Sequence, residues 1–339
     1  MSSPAVCVVI VSYNSRAHLP RCIAALSRQT FTDFEAIIVD NESSDGTLES
    51  LGPLPDRFRI LRAGENLGFA RANNWAARET EAPWLATLNP DAFPEPDWLE
   101  RLMQATARHP DVVMFGSTQI DSRRPDRLDG AGDVYHAAGL VWRGDEGRPV
   151  ALAPRESEVF GPCAAAALYR RDAFLAEGGF DERYFCYCED NDLAFRLRLA
   201  GGRCIQVGDA VVRHVGSAAT GRHSAFSVYH GTRNRLWTFV KNMPGPLFWP
   251  LLPVHLAVSL LLLLRAAGSG TLGPTWRGFA DAIRGLGPVW ADRREIQRRR
   301  RVPLGQIARA LNWSPLAPLR RDRALRRNGQ AGRAVRTEP

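Results

Sequence analysis

Apolar positions in the N-terminal part of the chain follow two alternating rhythms. Val6 to Val11 is an unbroken aliphatic run with one cysteine, and a run without a polar face predicts a strand buried on both sides of a parallel sheet. Ser12-Tyr13-Asn14 ends it, and Leu19, Cys22, Ile23 and Leu26 then recur at helical spacing. Phe34 to Val39 predicts a second strand, stopping at Asp40-Asn41. Phe58 to Leu61 predicts a third, leading into Asn66-Leu67-Gly68-Phe69 and a helix through Arg71, Asn74 and Arg78. Trp84 to Leu88 predicts a fourth, ending at Asn89-Pro90-Asp91. Asn41 to Thr47 is rich in turn formers and helix caps, so a short helix is expected after it. Strands alternating with helices predict an α/β fold, a doubly wound, mostly parallel sheet flanked by helices. Ligands bind such sheets outside the carboxyl ends of the strands. Tyr13, Asn14, Asp40, Asn41, Asn66 and Asp91 all fall at that edge and are expected to share one cleft.

Further on the rhythm loosens. Trp98 to Ala107 has an amphipathic helical pattern and Val112 to Gly116 reads as a short strand. Gly116 to Phe160 crowds Gly, Pro, Asp and Arg and reads as hairpins and loops able to cover a cleft. Gly161 to Tyr169 reads as a small-residue strand, Cys204 to Val207 and Ala210 to Val212 as two short strands, and Tyr229 to Lys241 as a helix. Between them, GGFDERYFCYCEDNDLAFRLRLAGG (Gly178 to Gly202) brings Glu189, Asp190 and Asp192 to the start of a helix whose Leu193, Leu197 and Ala200 share one face. Helix starts welcome carboxylates, because unpaired N–H groups and the positive dipole end face them. These acids therefore read either as caps or, for one of them, as a general base at the mouth of a pocket. Asp91, just after a buried strand, reads either as a turn residue or as a ligand for Mg²⁺ or Mn²⁺ on a diphosphate. Asp40-Asn41 reads as a helix cap or as a reader of a base or ribose edge.

Composition changes the picture mainly at the C-terminal end. A hydrophobic share of 45% supports a real core over most of the 339 residues. The net charge of +8 is uneven: Leu247 to Pro339 holds 17 arginines against 5 acids, net +12, which leaves −4 for the rest. That region opens with LFWPLLPVHLAVSLLLLL (Leu247 to Leu264), which carries no formal charge and is interrupted by Pro250 and Pro253. An in-plane, re-entrant or body-packed helix is expected there rather than a span. The arginine clusters Arg293 to Arg301 and Arg320 to Arg327 suit an anionic membrane surface; a solvated tail is their plainer reading, and nucleic acid is not expected as a partner. Two regions result: 1–243, an α/β domain, and 244–339, a helical, basic, membrane-associating appendix. Cys186 and Cys188 lack a second ligand pair at zinc spacing and read as packing residues. With no secretory leader pattern before Val6, a reducing cytoplasm is expected. No G-x-G-x-x-G follows the first strand, which argues against a dinucleotide-binding enzyme.

Five segments, in order, carry a resemblance. VCVVIVSYNS (Val6 to Ser15), IIVDNESSDGT (Ile37 to Thr47), ENLGFARANN (Glu65 to Asn74), LNPDA (Leu88 to Ala92) and the acidic segment from Gly178 to Gly201 are similar to the inverting glycosyltransferases of family 2, nucleotide-sugar-dependent enzymes with the GT-A fold. Asn89-Pro90-Asp91 in place of Asp-x-Asp looks most like the rhamnosyltransferase branch that builds bacterial surface polysaccharides. The resemblance implies that Tyr13 and Asp40, with Asn41, hold the nucleotide base. Asn14, Asn66, Arg71 and Asn89 would line the donor cleft. Asp91 would hold a divalent cation, Mg²⁺ or Mn²⁺, on the diphosphate, and His214 would be a further metal ligand. Asp190 would be the catalytic base, with Glu189 and Asp192 supporting it at the helix start. It further implies a dTDP- or UDP-sugar donor, dTDP-rhamnose first, with galactofuranosyl, mannosyl or glucosyl donors as alternatives. The acceptor would be a lipid-linked or growing glycan on the inner face of the cell membrane. A nucleotide-sugar-binding scaffold without turnover is the rival from another class, since it needs the cleft but not Asp190.

Overall fold

A computed structural model of the chain describes residues 3–153, 155–216 and 224–320. The aliphatic runs become β1 (Val6–Ser12), β2 (Phe34–Asp40), β3 (Phe58–Arg62) and β4 (Trp84–Leu88), with α1 (Leu19–Ser27) and α2 (Gly68–Arg78) between them. There follow β5 (Ala92–Pro94), α3 (Trp98–Arg108), β6 (Met114–Asp121) and the short strands β7 (Leu128–Ala131), β8 (Asp133–Tyr135), β9 (Val141–Arg143) and β10 (Glu156–Glu158). Next come β11 (Ala166–Arg170), α4 (Arg171–Ala176), α5 (Glu189–Leu199) and β12 (Cys204–His214). Helices α6 (Ala225–Asn242), α7 (Gly245–Gly268), α8 (Leu272–Arg284), α9 (Leu286–Arg299) and α10 (Leu304–Ala310) succeed them. The main sheet has the order β10-β12-β6-β11-β4-β1-β2-β3. β3, β2, β1 and β4 are parallel neighbours, β11 lies antiparallel between β4 and β6, and β12 runs parallel to β6.

The first strand shows why its run has no polar face. Val6, Val8 and Ile10 pack into one core layer, Cys7 and Val9 into the other, and helices cover both. Several local expectations change. No helix follows Asn41 to Thr47, because its caps turn sideways: Thr47 Oγ1 accepts from Ser15 N–H (2.9 Å) and Asp45 Oδ2 from Arg16 N–H (3.1 Å). The strand expected to end at Gly116 continues to Asp121, since β7 and β12 pair with the extension. The two strands expected within 204–212 are one, β12, with an irregularity between Val207 and Val211, as a bulge allows. The strand expected from Gly161 begins only at Ala166. Helix α5 has no single apolar face: Asn191 to Leu199 are all buried, and Asp192, Arg196 and Arg198 find polar partners inside. The six cysteines are all free.

Residues from 244 onward pack back onto the body. Phe248, Ile307, Ala310 and Leu311 join one core layer, Arg301 N–H donates to Leu199 O (2.9 Å), and Asn312 N–H to Tyr135 O (2.9 Å). Of the first arginine cluster, Arg293 is buried and donates to the Val240 and Met243 carbonyls at the end of α6 (2.6 Å each). That member is thus a helix cap and not a lipid contact. The second cluster lies outside the described residues beyond Arg320. Helix α7 is continuous through Pro250 and Pro253, and a single stripe of it, Phe248, His255, Ser259 and Ala266, is buried. Trp249, Leu256, Leu260, Leu261 and Leu264 are each more than half exposed.

Candidate active site

The carboxyl ends of the central strands open into a cleft of about 620 Å³. Its wall includes Tyr13, Asn14, Asn41, Asn66, Asn89, Asp91 and His214. Tyr13 and Asn14 arrive there because β1 stops at Ser12 and Asn14 takes a left-handed conformation (φ 49°), one that asparagine tolerates. Asn14 Oδ1 accepts from Ser44 N–H (2.8 Å), which binds the loop after β1 to the loop after β2. Asn41 Nδ2 donates to Gly68 O (3.1 Å) and Asn66 Oδ1 accepts from Gly68 N–H (3.0 Å). Two of the expected residues stand apart. Asp40 is buried just behind the wall, with Oδ1 lacking a hydrogen-bond partner. Arg71 is half-exposed on α2 and paired with Glu65 (3.1 Å), so it does not line the cleft; helical spacing turned it to the outer face.

On the cleft floor, His214 Nδ1 lies 2.8 Å from Asp129 Oδ2, and His214 Nε2 lies 3.3 Å from Asp91 Oδ1 without a hydrogen bond of acceptable geometry. Arg143, also on the wall, pairs with Asp129. Asp129 fixes the ring so that Nε2 faces Asp91; a histidine held in this way by a carboxylate at Nδ1 can ligate a metal once Nε2 has given up its proton. Burial disfavours the charged imidazolium, but the bond to Asp129 and the neighbouring Asp91 outweigh it and raise the His214 pKa. Burial likewise pushes Asp91 up, and His214, with the Asp91 backbone N–H and His18 helping, more than reverses that. Among the described residues no group of three or more His, Cys, Asp or Glu gathers as a metal site.

Asp190 stands next to the cleft, not in its wall; Cys186 and Tyr187, just before it, line the cleft. It is half-buried. Its Oδ2 accepts from Ala164 N–H (3.1 Å) and its Oδ1 from Asn191 N–H (2.8 Å) and Asn191 Nδ2 (2.9 Å), while Asn191 Nδ2 also donates to Asp133 Oδ2 (3.1 Å). Burial raises the pKa of Asp190, and it raises Asp133 and Glu189 further, helped by their mutual repulsion with Asp190. Like charges this close cannot all ionise. The three N–H donors at Asp190 favour its ionised form over those of Asp133 and Glu189, which burial pushes up further.

The turn before Asp190 is strained. Phe185, Tyr187 and Cys188 have φ of 64°, 71° and 64°, conformations that cost non-glycine residues about 1–3 kcal/mol each. The surroundings impose it. Asn234 on α6 donates through Nδ2 to the carbonyls of Tyr184 (3.0 Å), Cys186 (2.9 Å) and Tyr187 (2.7 Å). Phe185 O accepts from Phe69 and Ala70 N–H (2.7 and 3.2 Å) at the start of α2. That approach requires Gly68, whose Cβ would sit 2.6 Å from the Phe185 ring. Asp192, expected to support Asp190, instead faces away into the core, where it meets Arg196 (2.8 Å), Lys241 (2.7 Å) and Asn242 Nδ2 (2.8 Å). Asp129, Asp133, Arg143, Asn191 and Asn234 were not singled out from the sequence. The first three lie in the irregular hairpins over 116–160, and Asn234 is one polar residue in an ordinary helical pattern.

A model of the family described as glycosyl transferase family 2 matches residues 7–176. The N-acetylglucosaminyl-diphospho-decaprenol L-rhamnosyltransferase of Mycobacterium tuberculosis H37Rv is 32% identical over 241 residues, 64% of this chain and 78% of that protein. An O-antigen biosynthesis protein of Myxococcus xanthus is 28% identical over 224 residues, 62% of this chain and 17% of that protein. Among solved structures, a mannosyltransferase of Pyrobaculum calidifontis in complex with GDP-Man and Mn²⁺ aligns with a TM-score of 0.52 and 18% identity over 91% of this chain and 87% of that one. GalNAc-T7 with UDP, GalNAc and Mn²⁺ aligns with a TM-score of 0.56 and 15% identity over 70% of this chain and 48% of that one. At such identities the structural likeness is one of fold.

Proposed function

This chain belongs to glycosyl transferase family 2 and is a glycosyltransferase of GT-A-like fold, and from that premise we propose that it transfers L-rhamnose from dTDP-rhamnose to a lipid-linked glycan with inversion at the anomeric carbon. The observation that carries the reading is the cleft that gathers Tyr13, Asn14, Asn41, Asn66, Asn89, Asp91 and His214 beside Asp190. Tyr13 and Asn41, with Asp40 behind them, hold the base, and Asn14, Asn66 and Asn89 fix the rest of the donor. Asp190 removes the acceptor's hydroxyl proton while the acceptor oxygen bonds to the anomeric carbon and the bond to the diphosphate breaks on the opposite face. One base and one displacement invert the configuration. Asp91 and the facing Nε2 of His214, 3.3 Å apart, fit a Mg²⁺ or Mn²⁺ ion that takes the place of the proton at Nε2, and such an ion would supply the positive charge a diphosphate leaving group needs. Asn89, where related enzymes carry an acid, leaves that ion one negative charge fewer.

A thermal-shift panel of nucleotide sugars with and without Mn²⁺ tests this, because a ligand that binds only the folded state stabilises it by mass action. dTDP-rhamnose with Mn²⁺ is expected to give the largest shift. Asp129→Asn, which leaves the ligands in place but loosens His214, is expected to weaken Mn²⁺ binding by about 10–100-fold. A Mn²⁺ affinity equal to the wild type would remove His214 from the metal site, and a panel without any donor-dependent shift would sink the donor reading.

The exposed side of α7 supports a place on the inner face of the membrane. This helix is long and apolar enough to cross a bilayer, but its buried stripe runs along most of its length against the protein body. A helix so held lies along the bilayer with its leucines in the acyl boundary. Replacing Leu260, Leu261 and Leu264 together by Ser should leave the fold intact and reduce partition onto anionic liposomes by at least about tenfold, well within the value of three buried leucines. Unchanged partition in a sedimentation assay would discard the α7 surface as the membrane contact.

A further inference from the structure

A second cavity, of about 690 Å³, lies between α6, α7 and the corner joining α8 to α9. Leu236, Phe248, Trp249, Phe279 and Trp290 form its walls, and Arg294 is the one charged residue that lines it. The size is that of pockets enclosing drug-sized molecules, but polar groups to fix such a molecule are missing; the ring of His255 is turned to the Ala138 carbonyl (2.9 Å) and stacked on Phe239. Trp249, Leu256 and Ile283 line the groove and are also 62%, 53% and 64% exposed. The groove therefore opens onto the apolar surface of α7 and α8, and a hydrocarbon chain could enter it from a bilayer without crossing water. Helix α6 connects this place to the chemistry. Its Phe226 lines the cleft and its Leu236 the groove, about 15 Å apart along the helix.

We propose that this groove holds the polyprenyl chain of the lipid-linked acceptor, a proposal that rests on the acceptor class given above. An acceptor of that kind must bring a sugar hydroxyl to Asp190 while keeping its hydrocarbon out of water. Helix α6 carries a wall of each place, and Arg294 at the groove complements an anionic head group. The chain's own C-terminal segment is a poor occupant, since RDRALRRNGQAGRAVRTEP from Arg321 to Pro339 is mostly charged or polar.

Gly287 offers a direct test. It lines the groove near the start of α9, and a Cβ built there meets nothing within 4 Å, so Gly287→Leu starts its side chain in open space and adds bulk at the groove. The probe is a long polyprenyl monophosphate without sugar, in detergent, followed by the change in tryptophan emission, to which Trp249 and Trp290 in the groove contribute. Gly287→Leu should weaken its binding by about tenfold or more, the equivalent of some two buried CH₂ groups. It should raise KM for a long-chain acceptor by a similar factor and leave KM for an acceptor cut to one or two isoprene units unchanged. Equal binding of the probe by both proteins, or equal affinity of the wild type for a diacyl phospholipid, overturns the proposal. If the probe binds and Gly287→Leu weakens it, but no sugar nucleotide supports transfer, the groove stands and the functional reading falls. If transfer to a lipid-linked acceptor proceeds and both proteins treat chain length alike, the reverse holds.

Discussion

Asp190→Asn is expected to lower kcat by about 10²–10⁴-fold, the usual worth of a general base, while the thermal shift given by the donor stays unchanged. Asparagine keeps the side chain's size and an oxygen for the two Asn191 donors, giving up only the bond that Oδ2 accepts from Ala164 N–H, so α5 should remain in place. The wild-type pH profile should separate a base from a structural acid. Burial raises the pKa of Asp190, and the base works only when ionised. Activity should therefore rise with pH along a limb placed above the ordinary aspartate range, and the residual activity of Asp190→Asn should lack that limb. Transfer by the variant within a few-fold of the wild type would end the assignment.

Lys241→Met is expected to destabilise the fold by about 3–5 kcal/mol, the cost of removing one partner from a buried ion pair. Lys241, the chain's only lysine, is buried with Nζ 2.7 Å from Asp181 and 2.7 Å from Asp192, and Asp192 is completely inaccessible. Methionine would fill the volume and leave Asp192 with Arg196 alone to balance its charge. Urea unfolding should show a lower midpoint at an unchanged slope; a loss below about 1 kcal/mol, the range of an exposed pair, would contradict the buried hub. Acid sensitivity follows with a definite sign. Burial would raise Asp181 and Asp192, but Arg183 and Lys241 for the first, and Lys241 and Arg196 for the second, hold both below the ordinary value. Their stabilisation is complete above the unfolded aspartate pKa, about 3.9, and is lost as pH falls through the depressed folded values. In Lys241→Met the acid unfolding midpoint should move upward.

The strand ends were legible because their signal is local. An aliphatic run that stops at Tyr13-Asn14, Asp40-Asn41 or Asn89-Pro90-Asp91 marks both the buried strand and the edge where it surfaces, and the parallel topology brings these ends together. Arg71 shows the limit: it sits in a segment shared with the cleft residue Asn66, but the helical turn after Gly68 carried it to the outside. Asp192 shows another. Two residues from Asp190 on one helix, it faces Lys241 and Arg196, and only packing against α6 decides that.

The sequence by itself determined the alternation of strands and helices, the cleft at the strand ends, the acidic helix start and the apolar C-terminal helix, since each depends on periodicity or on neighbours a few positions apart. Tertiary structure alone decided which acids crowd around Asp190, which carboxylates face the two nitrogens of His214, how Asn234 holds a strained turn from about fifty residues away, and that α7 lies along the body and does not stand alone. Those outcomes depend on burial and on pairings between distant segments, and both arise only when separate elements exclude water together.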